Sequence, residues 1–66
     1  MKVIVNGSER LLTPGTSLHD IIKEAARSPE HVVAAVNGDI FEPMDYAGVI
    51  LKEGDEIDLM TFVGGG

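Results

Sequence analysis

Along the chain, apolar and polar positions alternate, then cluster, then alternate again. "KVIVN" (Lys2–Asn6) is β-branched with polar ends, as a strand requires. Asn6-Gly7 follows it, and this pair favours a two-residue type I′ turn, which needs positive φ at both central positions. "ERLL" (Glu9–Leu12) returns as a second strand. "TPGT" (Thr13–Thr16) is a turn. In "SLHDIIKEAARSP" the residues Leu18, Ile21, Ile22, Ala25 and Ala26 recur at helical spacing and predict one apolar helix face. Thr16 or Ser17 can cap its first turn, Asp20 suits the positive end of the dipole, and Arg27 and Pro29 mark its end. "HVVAAV" (His31–Val36) is a nearly continuous apolar run, expected of a strand buried on both faces or at the sheet centre. Asn37-Gly38 turns the chain into "DIF" (Asp39–Phe41). "EPMDYAG" (Glu42–Gly48) reads as an irregular arm, "VIL" (Val49–Leu51) as a short extended piece, and "KEGDE" (Lys52–Glu56) as a turn around Gly54. Glu56–Val63 is the last strand, and the chain finishes on three glycines, Gly64–Gly66.

One helix among several strands must cover one face of the sheet, because nothing else can bury its stripe. The pattern predicts an α+β fold of the β-grasp (ubiquitin-like) type. Its sheet is mixed, with four to five strands and the helix packed on one face. Other α+β arrangements share this order of elements. The expected division is a folded domain over residues 1–63 and a flexible tail over residues 64–66. Glycine loses more freedom on ordering than any other residue, so a terminal run of it is expected to stay mobile.

Sixty-six residues allow one domain with a small core, since a chain of this size buries only about 60% of its unfolded surface. No cysteine is present, which removes disulfides and thiolate metal sites. No apolar run approaches the roughly 20 residues of a membrane span, and the N-terminus lacks the pattern of a signal peptide, so a cytoplasmic location is expected. The net charge of −6 argues against nucleic acid and against an anionic membrane surface. It fits a basic protein partner, and equally a simple need for solubility.

Residues able to carry chemistry are few. His19 and His31 lie on different elements, without metal-ligand spacing to another histidine. "EGDEID" (Glu53–Asp58) is dense in carboxylates but lacks the ligand order of a calcium loop, so an acidic turn explains it. The hydroxyls sit at turns and helix ends, where capping accounts for them. "VGGG" has no helix after it to aim N–H groups at a phosphate. The chain is therefore not expected to be an enzyme on its own. On the last strand, Ile57 and Leu59 share one face, while Asp58, Met60 and Phe62 share the other. With the helix over Ile57 and Leu59, and with Val3 and Val5 inward, an exposed cluster of Ile4, Met60 and Phe62 beside Val63 and the tail reads as a docking patch. Alternatively, Phe62 folds over the sheet edge and packs quietly.

Together "VNG", "PGTSLHDII", "AAVNGDIFEP", "LKEGDEIDLMTFV" and the terminal "GGG" resemble the ThiS family, the sulfur carriers of thiamine biosynthesis in the ubiquitin-like superfamily, over essentially the whole chain. The resemblance implies a carrier, likewise not an enzyme, whose C-terminal glycine is the functional group. A ThiF-like adenylating enzyme, using ATP and a metal that this chain does not itself bind, would activate the Gly66 carboxylate. A desulfurase system would supply sulfur as a persulfide, and the resulting thiocarboxylate would serve a ThiG-like thiazole synthase. Gly64 and Gly65 would form the thin lead into the partner's site, and the free carrier would be a monomer. Relatives with the same tail serve molybdopterin or amino-acid synthesis, or modify other proteins through isopeptide bonds. The arm departs from the family pattern: Tyr46 stands where many members carry tryptophan, and its surroundings are acidic.

Overall fold

The computed structural model describes residues 1–25 and 31–61. Within them lie β1 (Lys2–Val5), β2 (Ser8–Leu11), α1 (Leu18–Ala25), β3 (Val32–Val36), β4 (Asp39–Phe41), a 3₁₀ helix (Pro43–Gly48) and β5 (Glu56–Thr61). The strands form one five-stranded sheet in the order β2-β1-β5-β3-β4. β1 pairs with β5 in parallel and every other pairing is antiparallel. This is the β-grasp arrangement, with α1 carrying the chain from the first hairpin to the second. No helix among the described residues is long and apolar enough to cross a membrane.

Both hairpins form as the Asn-Gly pairs dictate. Asn6 and Gly7 have φ of 51° and 83°, Asn37 and Gly38 of 52° and 89°, the left-handed region that asparagine tolerates and glycine adopts freely. The turns set register, pairing Val5 with Ser8 and Val36 with Asp39.

The helix begins on a reciprocal cap. The Asp20 N–H donates to Ser17 Oγ at 3.2 Å, and the Ser17 N–H donates to Asp20 Oδ2 at 3.0 Å, so Ser17 rather than Thr16 is the N-cap. Thr16 instead donates from its hydroxyl to the Thr13 carbonyl. Leu18, Ile21 and Ile22 are buried against the sheet. A helix of eight residues is marginal alone in water. Three aliphatic side chains buried at roughly 1.5–3 kcal/mol each hold it in place. Ala25, expected in the apolar stripe, is exposed, because its methyl reaches too little to follow the larger side chains into the core. Ala26, Arg27 and Pro29 lie outside the described residues.

The core joins Val3 and Val5 of β1, the three helical side chains, Val32, Ala34 and Val36 of β3, Tyr46, Leu51 and Ile57. Tyr46 is the largest fully buried side chain and corrects the reading of Glu42–Gly48 as an irregular arm. β4 stops opposite Ala34, leaving the first half of β3 without a strand on that side. The Tyr46 hydroxyl fills the gap: it accepts from the Ala34 N–H at 3.1 Å and donates to the Val32 carbonyl at 2.5 Å. Burial pushes the phenol above its ordinary pKa, an effect partly offset by the Ala34 N–H. Val49–Leu51 adds no strand to the sheet. It forms a single bridge, Ser17 with Ile50, flanked by Leu18 N–H to Val49 O and Leu51 N–H to Thr16 O.

Two predictions follow from this anatomy. Tyr46→Phe keeps the packing but strands the Ala34 N–H and the Val32 carbonyl, and is expected to cost about 1–3 kcal/mol in urea unfolding. Hydrogen bonds from the Ser17 backbone and then its hydroxyl hold the Asp20 carboxyl below its ordinary pKa, with Lys23 contributing. The stabilisation from Asp20 is thus complete above the ordinary carboxylate pKa and disappears as pH falls through the lowered value. Asp20→Asn should flatten that part of the acid limb when melting temperature is followed against pH.

Candidate functional site: the open face of the sheet

β5 decides which residues the sheet leaves on its uncovered face. It lies at the centre of the sheet, and alternation sends Ile57 and Leu59 toward the helix and Glu56, Asp58 and Met60 to the uncovered face. Ile57 is fully buried, Leu59 packs partly against the core, and Met60 is 55% exposed. The sequence-based assignment of faces on β1 and β5 therefore holds as far as Met60. Phe62, Val63 and Gly64–Gly66 lie outside the described residues.

The register then sorts the open face into two halves. Met60 stands opposite Val33, and Ala35 stands between Asp58 of β5 and Ile40 of β4. Residues directly opposite share a face, so Met60, Val33, Ala35 and Ile40 form an apolar half at the end of β5 that leads to the tail. Ile40 is 70% exposed and Val33 half-buried. The other half is acidic. Ile4 is half-buried between Glu9 on β2 and Glu56 on β5. Met60 is four residues beyond Glu56, about 13 Å along the strand, and Asp58 lies between. Ile4 and Met60 consequently do not form the single cluster expected from alternation alone, because alternation fixes a face and says nothing of distance along it. Ile40 and Val33 were missed as members. The signal was present in Asn37-Gly38, since a two-residue turn there sets Ala35 against Ile40.

A second feature lies at the opposite end of the strand. Asp55 is buried, and both carboxylate oxygens are engaged: Oδ1 accepts from Asn37 Nδ2 at 3.0 Å and Oδ2 from the Lys52 N–H at 2.7 Å. Asn37 Oδ1 in turn accepts from the Glu56 N–H at 3.0 Å. The acidic stretch is thus a turn closed by its own carboxylate. Beside it a shallow cleft of about 190 Å³ is lined by Val36, Asn37, Phe41, Val49, Ile50 and Lys52, together with Asp39 and Asp55. Both oxygens of its buried carboxylate are already engaged within the protein, which leaves Asp39 and Lys52 as the exposed charges of the cleft. His19 is half-buried on the helix and His31 exposed before β3.

The sequence model of the ThiS family matches residues 3–66. The thiazole synthases of Paramagnetospirillum magneticum and Magnetococcus marinus are 29% and 32% identical to this chain over 66 residues. Each alignment takes in the whole of this chain and 20% of the synthase, so the chain spans about a fifth of those relatives. Among solved structures, the crystal structure of the thiamine biosynthesis protein ThiS from Geobacter metallireducens superposes with a TM-score of 0.82 at 23% identity, covering all of both chains. The solution structure of a thiamine biosynthesis protein from the same organism gives a TM-score of 0.73 at 25% identity, over all of this chain and 88% of that one.

The two features of β5 should separate in stability measurements. Asp55→Ala leaves the Lys52 N–H and the Asn37 amide without their acceptor, and should cost at least about 2 kcal/mol. Met60→Asp, on the open face, should stay within about 0.5 kcal/mol of the parent. Urea titration of the two variants side by side is the measurement.

Proposed function

Because the chain belongs to the ThiS family, we propose that it works as a sulfur carrier for thiamine biosynthesis through the carboxylate of Gly66. The supporting observation is the family match itself, which runs through the terminal glycines as well as the domain. The protein is then a cosubstrate rather than an enzyme. A carboxylate is a poor acyl donor until one oxygen becomes part of a leaving group, so activation must come before sulfur transfer. An adenylating partner attaches AMP to the Gly66 carboxylate, with its own ATP and metal stabilising charge at phosphorus. Sulfur delivered as a persulfide then replaces the adenylate and leaves a thiocarboxylate. A thiazole synthase receives that sulfur, a reading favoured by the names of the two bacterial relatives.

In this proposal residues 1–63 form the folded unit and residues 64–66 the arm, in a carrier that is cytoplasmic and monomeric when free. Gly64 and Gly65 pass a narrow channel because they present no side chain. Three extended residues reach on the order of 10 Å, enough to carry a carboxylate from a domain surface into a cleft. The apolar half of the open face, Met60 with Val33 and Ile40, supplies the docking surface, with Phe62 and Val63 as the further members expected from the sequence. Ile4 belongs to its acidic flank.

The test is loading. With the adenylating enzyme, ATP and a sulfur source, the chain ending at Gly66 should exchange oxygen for sulfur at Gly66, read by mass spectrometry. Modification of a side chain instead would overturn the carrier reading, and conjugation to lysines of other proteins would favour the modifier relatives. Removing Gly66 shortens the arm by about 3.5 Å, beyond the tolerance of a near-attack geometry. That deletion should abolish loading at an unchanged melting temperature. Ile40→Asp should slow loading while leaving stability intact, and loading should slow further as added salt shortens the Debye length below about 10 Å.

A further inference from the structure

The tripeptide Val-Asn-Gly occurs twice, as Val5-Asn6-Gly7 and Val36-Asn37-Gly38. Asparagine is thermally labile, most of all before glycine, whose backbone nitrogen has no neighbouring side chain to shield it. The two turns have nearly the same backbone, with φ of 51° and 83° in one and 52° and 89° in the other. Their side chains are held differently. Asn37 is fixed at both ends of its amide, its Oδ1 by the Glu56 N–H and its Nδ2 by the buried Asp55 carboxylate. Asn6 is fixed at one end, its Oδ1 accepting from the Leu59 N–H at 2.8 Å. Among the described residues its Nδ2 has no partner.

We propose that Asn6 is a site of spontaneous deamidation in the folded protein, and that Asp55 protects Asn37 from the same reaction. The Gly7 nitrogen bonds to Cγ of Asn6, the Cγ–Nδ2 bond breaks, and ammonia departs with the Gly7 amide proton. Water then opens the cyclic imide at either carbonyl, giving aspartate or isoaspartate. For Cγ to reach the glycine nitrogen the side chain must rotate. At Asn6 that rotation breaks one hydrogen bond, and at Asn37 it breaks two, one of them to a carboxylate. The outcome also differs between the sites. Aspartate at position 6 still offers an oxygen to the Leu59 N–H. Aspartate at position 37 would face the Asp55 carboxylate across the 3.0 Å now spanned by an N–H donor. The chemistry is thus directed to the turn where its aspartate product is tolerated.

The repeated tripeptide supplies its own control. The native chain is aged in mildly alkaline buffer, digested, and both turns are mapped by mass spectrometry. An isoaspartate-specific methyltransferase with a labelled methyl donor gives a second readout. Asn6 should convert at least about fivefold faster than Asn37, the factor that one additional hydrogen bond of ordinary strength supplies. In denaturant the two rates should converge, because the local sequences match. Equal native rates, or faster conversion at Asn37, would overturn the proposal.

Discussion

The structure depends on how its last strand is held. β5 is the last of the described elements, yet it occupies the centre of the sheet and joins two hairpins that make no strand pairing with each other. Each hairpin turn contributes an asparagine to that join. Asn6 donates its N–H to the Ile57 carbonyl and accepts the Leu59 N–H on its side chain. Asn37 donates its N–H to the Glu56 carbonyl and accepts the Glu56 N–H on its side chain. The residue that permits the tight turn, by accepting positive φ, is therefore also the residue that grips the central strand. Glycine could make either turn but would leave a β5 N–H without its side-chain acceptor. Aspartate could accept those bonds, but at position 37 it would lose the donor to Asp55.

This dual use explains what could be read from the sequence. The hairpins, the helix and the inward faces of β1 and β5 were legible because each rests on a local rule: turn residues, helical spacing or strand alternation. Tyr46 was not. Nothing near it in sequence says that its hydroxyl completes the edge of β3, a contact set by where β4 ends and how the 3₁₀ helix packs. A short, polar, proline-containing stretch looks like a loop when the tertiary contact that orders it is invisible. Asp55 was hidden for a related reason. Among the many carboxylates of Glu53–Asp58, alternation and composition give no sign of which one turns inward. The expected docking patch fell between these cases: the face of Ile4 and Met60 was readable from alternation, but their separation along it only from register.

The register has a functional consequence. Parallel pairing of β1 with β5 places the start of the chain beside the turn that precedes β5, where Lys2 bonds to Glu53 and Gly54. The buried carboxylate network is gathered at that pole. Met60, Val33 and Ile40 lie toward the other, where β5 leads to the glycines. The segments that fix the strand are thus separated from the surface proposed to meet partners. A partner can press on the apolar half without disturbing the asparagine at position 37 or the carboxylate that holds it.

The two halves of the open face act over different distances. Unpaired charge is felt across roughly a Debye length, about 8–10 Å at ordinary ionic strength, whereas apolar surface contributes only when water leaves it at contact. Glu56 and Asp58 can therefore orient a basic partner before Met60 and Ile40 touch it. In the proposed complex the apolar half then sets how long the partners stay together. For the carrier proposed above, which would leave one enzyme and reach another, this separation is useful. In that proposal, acidic residues accelerate association while adding little affinity at the rim, and a small apolar patch permits release. A larger apolar face would strengthen each complex and slow the transfer between them.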